Sequence, residues 1–129
     1  MSSLSILLID DDRDLVDSLA DFIELKGHNV DIAMTAEEGI AAASKKDYDA
    51  ILVDIGLPDI NGVSTLYSIK EMKPDSHILL MTGYSSDHVE REYTPDDPLP
   101  VMTKPLDLDA MMAWLTSRVR PFKSIHNSS

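Results

Sequence analysis

Four stretches carry the residues that could do chemistry: Asp10-Asp11-Asp12, Asp54, Thr82 and Lys104-Pro105. Carboxylates crowded at one place raise each other's pKa or need a counter-ion. An all-oxygen ligand set with few protein carboxylates suits Mg²⁺, which keeps several waters and favours phosphate as a co-ligand. Thr82 offers a hydroxyl and Lys104 an ammonium, and around one carboxylate these groups and a divalent cation would clamp a phosphoryl group. A carboxylate can attack phosphorus and hold an acyl phosphate. Asp54 is the central candidate, because the clustered acids are better placed as metal ligands. Asp12 has a second reading as the N-cap of the helix that carries Leu15. Taken singly, Thr82 could satisfy a local backbone group and Lys104 could be a solvated loop lysine.

These residues fall where strands should end. Five short apolar runs, Ser5–Ile9, Asn29–Met34, Ala50–Val53, Ile78–Met81 and Leu99–Met102, alternate with helical patterns, which predicts an α/β domain with a parallel sheet. The first, third and fourth runs are almost continuously apolar, as strands covered on both faces are. The second and fifth mix in polar residues or proline and read as strands nearer an edge. Leu15, Val16, Leu19, Phe22 and Ile23 make one helical stripe, closed by Gly27 at a C-terminal position that favours a left-handed residue. Thr35 and Glu38 have capping-box spacing and open an alanine-rich helix ending near Lys45–Lys46. A third helix is predicted from Val63 to Met72, before Pro74. Ser86–Tyr93 holds only Val89 and Tyr93 as apolar anchors, so a fourth helix there would be short and weak. The last starts near Asp107 on a stripe of Leu108, Met112, Leu115 and Val119. Five βα units fit a doubly wound sheet, whose ligands sit outside the carboxyl ends of the strands.

Composition narrows the functions. The 129 residues suffice for one domain, with 43% apolar and 26% charged residues, the balance of a globular protein with a core. The absence of cysteine excludes disulfides, thiolate zinc sites and cysteine nucleophiles. No apolar run approaches the roughly 18 residues that span a bilayer, and no basic segment leads a signal sequence, so a cytoplasmic setting without membrane attachment is expected. The net charge of −12 repels a phosphate backbone and argues against direct nucleic-acid binding; a cation or a basic partner fits better. Trp114 lies well off the stripe of the last helix, either as a half-buried flank or as a partner-facing anchor. The four histidines show no ligand spacing and receive no role.

Over residues 4–120 the chain resembles the receiver domain of two-component response regulators. The resemblance rests on Ile6-Leu7-Leu8-Ile9-Asp10-Asp11-Asp12, on Ile51-Leu52-Val53-Asp54-Ile55-Gly56-Leu57-Pro58-Asp59-Ile60-Asn61-Gly62, on Leu80-Met81-Thr82-Gly83 and on Thr103-Lys104-Pro105, in that order. It implies a flavodoxin-like five-stranded parallel sheet of order 2-1-3-4-5. It also implies that Asp54 is the phosphoacceptor, Asp11 a direct Mg²⁺ ligand and Asp10 a ligand largely through water. Asp54 and the backbone carbonyl of Gly56 would complete the protein's share of the metal shell. Thr82 would follow the phosphoryl group, Lys104 would pair with it, and the Lys104–Pro105 bond would be cis. The implied donor is a sensor histidine kinase or a histidine phosphotransfer protein, and the output passes to a downstream protein partner or effector domain, with homodimerisation as one route. Such a chain is a phosphoacceptor switch that assists its own phosphorylation and dephosphorylation, not an enzyme with an external substrate.

The expected organisation is a single receiver unit over 1–129, with a core of 4–120, a frayed tail at 121–129 and no effector domain. Two features depart from the family pattern. Val101 stands where an aromatic switch residue is usual, and Thr94-Pro95-Asp96-Asp97-Pro98-Leu99-Pro100 replaces the usual Gly-Ala pair before the fifth strand. A dehalogenase-like phosphatase would need a second acid two residues after its nucleophile, where this chain has Gly56. A flavin carrier would need a phosphate loop where Asp10-Asp11-Asp12 repels phosphate. A receiver that binds partners without phosphorylation would show a broken acid pocket, and all the acids are present.

Overall fold

The computed structural model describes residues 3–54, 62–72, 75–83 and 101–118. Gly56, the weak helix expected over Ser86–Tyr93, the proline-rich stretch 94–100, Val119 and the tail expected at 121–129 lie outside the described residues. The strands are β1 (Ser5–Ile9), β2 (Asn29–Ala33), β3 (Ala50–Asp54), β4 (His77–Thr82) and β5 (Val101–Thr103). The helices are α1 (Arg13–Leu25), α2 (Ala36–Lys45), α3 (Gly62–Met72) and α4 (Leu108–Arg118).

All pairings are parallel, in the order β2-β1-β3-β4-β5. The three continuously apolar runs are the inner strands and the two mixed ones the edges, because only inner strands lose water from both faces. Side chains alternate across the sheet. On one face Ile6, Leu8, Leu52, Leu79 and Met81 pack with Leu19, Ile23, Met111 and Leu115 of α1 and α4. On the other, Leu7, Ile9, Ile51, Val53, Ile78 and Leu80 pack with Ala36, Ala43 and Ile69 of α2 and α3. Burial of each large aliphatic side chain contributes roughly 2 kcal/mol. Trp114 is a half-buried flank of the first cluster, edge-on to His77 at 6.5 Å between ring centroids.

Strand ends differ from the sequence-based bounds wherever a neighbour supplies a partner. β4 gains His77, opposite Ala50, and Thr82, opposite Thr103; β3 gains Asp54, opposite Met81. β5 runs on to Thr103 for the same reason, while β2 stops at Ala33.

Helix ends follow their capping chemistry. The Thr35 hydroxyl accepts from Glu38 N–H at 3.1 Å, and the Glu38 carboxylate accepts from Met34 N–H at 2.9 Å. The predicted box thus forms with its return bond one residue ahead of the cap. α1 closes with Gly27 at φ 94°, Gly27 N–H donating to Glu24 O and His28 N–H to Ile23 O, a Schellman pattern that glycine accommodates without strain. That turn delivers His28, whose Nδ1 accepts from Leu4 N–H at 3.0 Å and ties down the entry to β1.

Candidate functional site

The acids meet at the carboxyl ends of β1 and β3. Ile9 and Val53 are register partners, so Asp10 and Asp54 leave adjacent strands side by side. Carboxylate oxygens of Asp10, Asp11 and Asp54 all lie within 4.8 Å of one another. Asp10 is fully buried and Asp54 nearly so, whereas Asp11 is exposed. Asp12 stands apart from the three: its carboxylate caps α1 by accepting from Leu15 N–H at 3.2 Å, while its own N–H donates to Asp10 Oδ1 at 3.0 Å. Capping is therefore the role its side chain plays in the structure.

Lys104 arrives from the end of β5. Its backbone N–H donates to Thr82 O at 2.7 Å, extending the β4–β5 pairing, and the Lys104–Pro105 bond is cis, as the resemblance implied. The ammonium lies 2.7 Å from Asp10 Oδ2 and 3.1 Å from Asp54 Oδ2. Only the Asp54 contact is an aligned hydrogen bond; among the described residues Asp10 Oδ2 is charge-paired but has no aligned donor. Thr82, fully buried at the end of β4, stands one strand from Asp54, which pairs with the preceding Met81.

The charges respond to this crowding. Burial pushes the Asp10 carboxyl above the ordinary carboxylate range, and the Asp54 charge adds to it, although Lys104 and the Asp12 N–H pull the other way. Burial acts to lower the Lys104 pKa, but the paired Asp10 and the Asp54 charge outweigh it and the ammonium titrates above its usual range. Three carboxylates thus face one ammonium among these four groups. The buried Asp10 oxygen, which has no aligned donor among the described residues, the upward shift and the all-oxygen donor set fit a hard divalent cation such as Mg²⁺.

The structure brings together Asp10, Asp11, Asp54 and Lys104 and sets Thr82 beside them; Gly56 lies outside the described residues. Sequence reasoning missed that Lys104 reaches Asp10 as well as Asp54, and that the Asp12 backbone N–H holds Asp10. It also missed His28 and Asp49 at the opposite end of the sheet. There Asp49 Oδ2 accepts from Ser5 N–H at 2.8 Å and Asp49 N–H donates to Ser5 O at 2.8 Å. The Asp at the very start of a buried strand was the available signal for that clasp.

Comparison with known proteins places these features in a family. Residues 6–116 match the model of the response regulator receiver domain. The transcriptional regulatory protein ZraR of Escherichia coli is 29% identical over 95% of this chain and 28% of its own length. The cell cycle transcriptional regulator CtrA of Caulobacter vibrioides is 30% identical over 93% of this chain and 52% of its own. The chain therefore spans about a quarter to a half of these relatives. A two-component response regulator from Clostridium difficile superposes with TM-score 0.83 at 29% identity, covering 89% of this chain and 94% of that one. A response regulator from Burkholderia pseudomallei, solved with a phosphorylated aspartic acid and a calcium ion, gives TM-score 0.80 at 27% identity over 89% of this chain and 68% of that one.

Proposed function

The chain belongs to the response regulator receiver family and acts in two-component signalling, and on that footing we propose that Asp54 is its phosphoacceptor, with Thr82 and Lys104 as its helpers and Asp10 and Asp11 as its cation ligands. The observation that carries the assignment is the Lys104 ammonium bridging Asp10 and Asp54 within one cluster of acids at the mouth of the sheet. Receiver domains are phosphoacceptor switches that bind Mg²⁺ or a similar metal at their acidic pocket. In this chain Asp10, Asp11, Asp54 and the Gly56 carbonyl would hold the ion. When bound, it would offset negative charge on the carboxylates and on the incoming phosphoryl oxygens.

In the proposed transfer an Asp54 carboxylate oxygen attacks phosphorus of a phosphohistidine donor. The new O–P bond forms as the N–P bond breaks, and the electron pair stays on the departing imidazole nitrogen, which takes a proton from solvent. Lys104 is positioned to exchange its pairing with Asp54 for pairing with the phosphoryl oxygens, and the Thr82 hydroxyl to donate to another of them. A sensor histidine kinase or histidine phosphotransfer protein is the proposed donor, in a cytoplasmic setting. The output passes to a downstream protein or effector domain, a homodimer being one form of it. We take residues 4–120 as one receiver unit.

The test is labelling with acetyl phosphate and Mg²⁺, read by intact mass. The parent should gain one phosphoryl group and Asp54→Ala none. Labelling that persists in Asp54→Ala would overturn the assignment, and no Mg²⁺-dependent labelling would favour a receiver that binds partners without phosphorylation.

A further inference from the structure

Asp10 owes its position to more than its own carboxylate contacts. Its backbone N–H donates to Ala33 O at 3.1 Å, so the end of β2 fixes one side of it. The next residue, Met34, gives its N–H to Glu38 of α2 at 2.9 Å, and Glu38 N–H is held by Thr35 at 3.1 Å. On the other side Asp10 is bonded to Ile9, the last residue of β1, whose fully buried side chain lies flat against Gly39 of α2. A Cβ at Gly39 would stand 2.5 Å from Ile9 Cδ1, 2.8 Å from Cγ1 and 3.0 Å from Cγ2. Turning the end of the isoleucine could free only Cδ1. The other two atoms sit on the β-branch, whose χ1 is stiff, so relief requires α2 or the end of β1 to move. Glycine lowers helix stability relative to alanine, and here it lets the helix backbone rest directly on the strand that presents Asp10.

We infer that the first turn and a half of α2, through Gly39 and Glu38, positions the Asp10 carboxylate for the cation, with Gly39 as the principal positioning residue. The inference rests on the cation reading of the acidic pocket given above. Gly39→Ala presses on Ile9 and displaces α2 and the end of β1 relative to one another, so that Asp10, tied to both, shifts relative to Asp54 and the site loses geometry while keeping every ligand. Supports of this outer kind change metal affinity by roughly 10- to 100-fold when removed, and the low end is expected here.

Calorimetric titration with MgCl₂, paired with thermal denaturation, tests this. Gly39→Ala should bind Mg²⁺ about tenfold more weakly than the parent. Adding Ile9→Ala, which removes all three crowded atoms, should recover most of that loss. Ala43→Gly, on the same helix but outside this contact, should lower the melting temperature without changing Mg²⁺ affinity; this separates positioning from stability. Should Gly39→Ala fail to fold, the exposed Glu38 decides. Glu38→Ala should weaken binding and Glu38→Gln, which keeps an acceptor for Met34, should stay near the parent. Equal weakening in both would mark a charge effect and overturn the inference. Parent-like affinity in folded Gly39→Ala overturns it alone, whereas a parent that binds no Mg²⁺ overturns the cation reading and this inference together.

Discussion

Lys104 meets two carboxylates with one ammonium, and only the Asp54 contact is an aligned hydrogen bond. Among the described residues the buried Asp10 oxygen is paired in charge but has no directed donor, and a small cation entering there would supply a partner for it. At the other end of the sheet a single neutral group does the comparable work. His28 Nδ1 must be unprotonated to accept from Leu4 N–H, and burial depresses its pKa below the ordinary 6.5. The folded state therefore binds fewer protons than the unfolded chain as the imidazole titrates. Its contribution is complete above the unfolded value and is lost as pH falls from there toward the lower folded value. Stability measured by urea unfolding should thus drop below about pH 6.5. His28→Asn, whose Oδ1 can accept the same N–H without titrating, should flatten that drop; an unchanged pH profile would show that His28 does not contribute to it.

At the scale of elements, strand ends and helix caps share the same few residues. Asp12 both terminates the acidic run and starts α1, its carboxylate serving the helix and its N–H serving Asp10. Asp12→Ala should cost about 1 kcal/mol through the lost cap, and Asp12→Ser should restore most of it. Neither should shift Mg²⁺ affinity by much, because the backbone N–H survives both changes. A large loss of Mg²⁺ binding in Asp12→Ser would instead put that carboxylate among the ligands. Such dual use also explains what the sequence could and could not reveal. Asp10, Asp54 and Thr82 were legible because each follows a run of buried residues whose apolar continuity is local. Gly27 was legible because a helix stop is local too. The Lys104–Asp10 pair, the Ser5–Asp49 clasp and the Gly39–Ile9 approach join residues 94, 44 and 30 positions apart, and only the packed sheet sets those distances. Gly39 did leave a trace, since a glycine inside an alanine-rich helix lowers helix propensity and points to a close approach.

For the molecule as a whole, the proposed function requires that a change at the mouth of the sheet reach a surface that another protein can read. In the family picture an aromatic ring three residues before the lysine turns inward as the hydroxyl moves toward the phosphoryl group. This chain has Val101 there, opposite Leu80 in the sheet and packed half-buried against the core that holds Ile78, Val53 and Leu80. Valine carries no ring to swing and its χ1 is stiff, so Val101 is expected to keep its place in the packing rather than relay the change. Thr82 is followed by Gly83, which is exposed and has open space where a side chain would stand. A change at Thr82 would pass along its own chain through Gly83 into a sequence stretch whose only apolar anchors over Ser86–Tyr93 are Val89 and Tyr93, and segments with few apolar anchors are where population shifts cost least. Beryllofluoride with Mg²⁺, added to isotopically labelled protein, should produce its largest NMR shifts at Asp54, Thr82, Lys104 and across residues 83–100, with the Val101 methyls changing little. If the shifts instead centre on Val101 and β5 while residues 83–97 stay unaffected, the signal travels through the edge strand and this route is wrong.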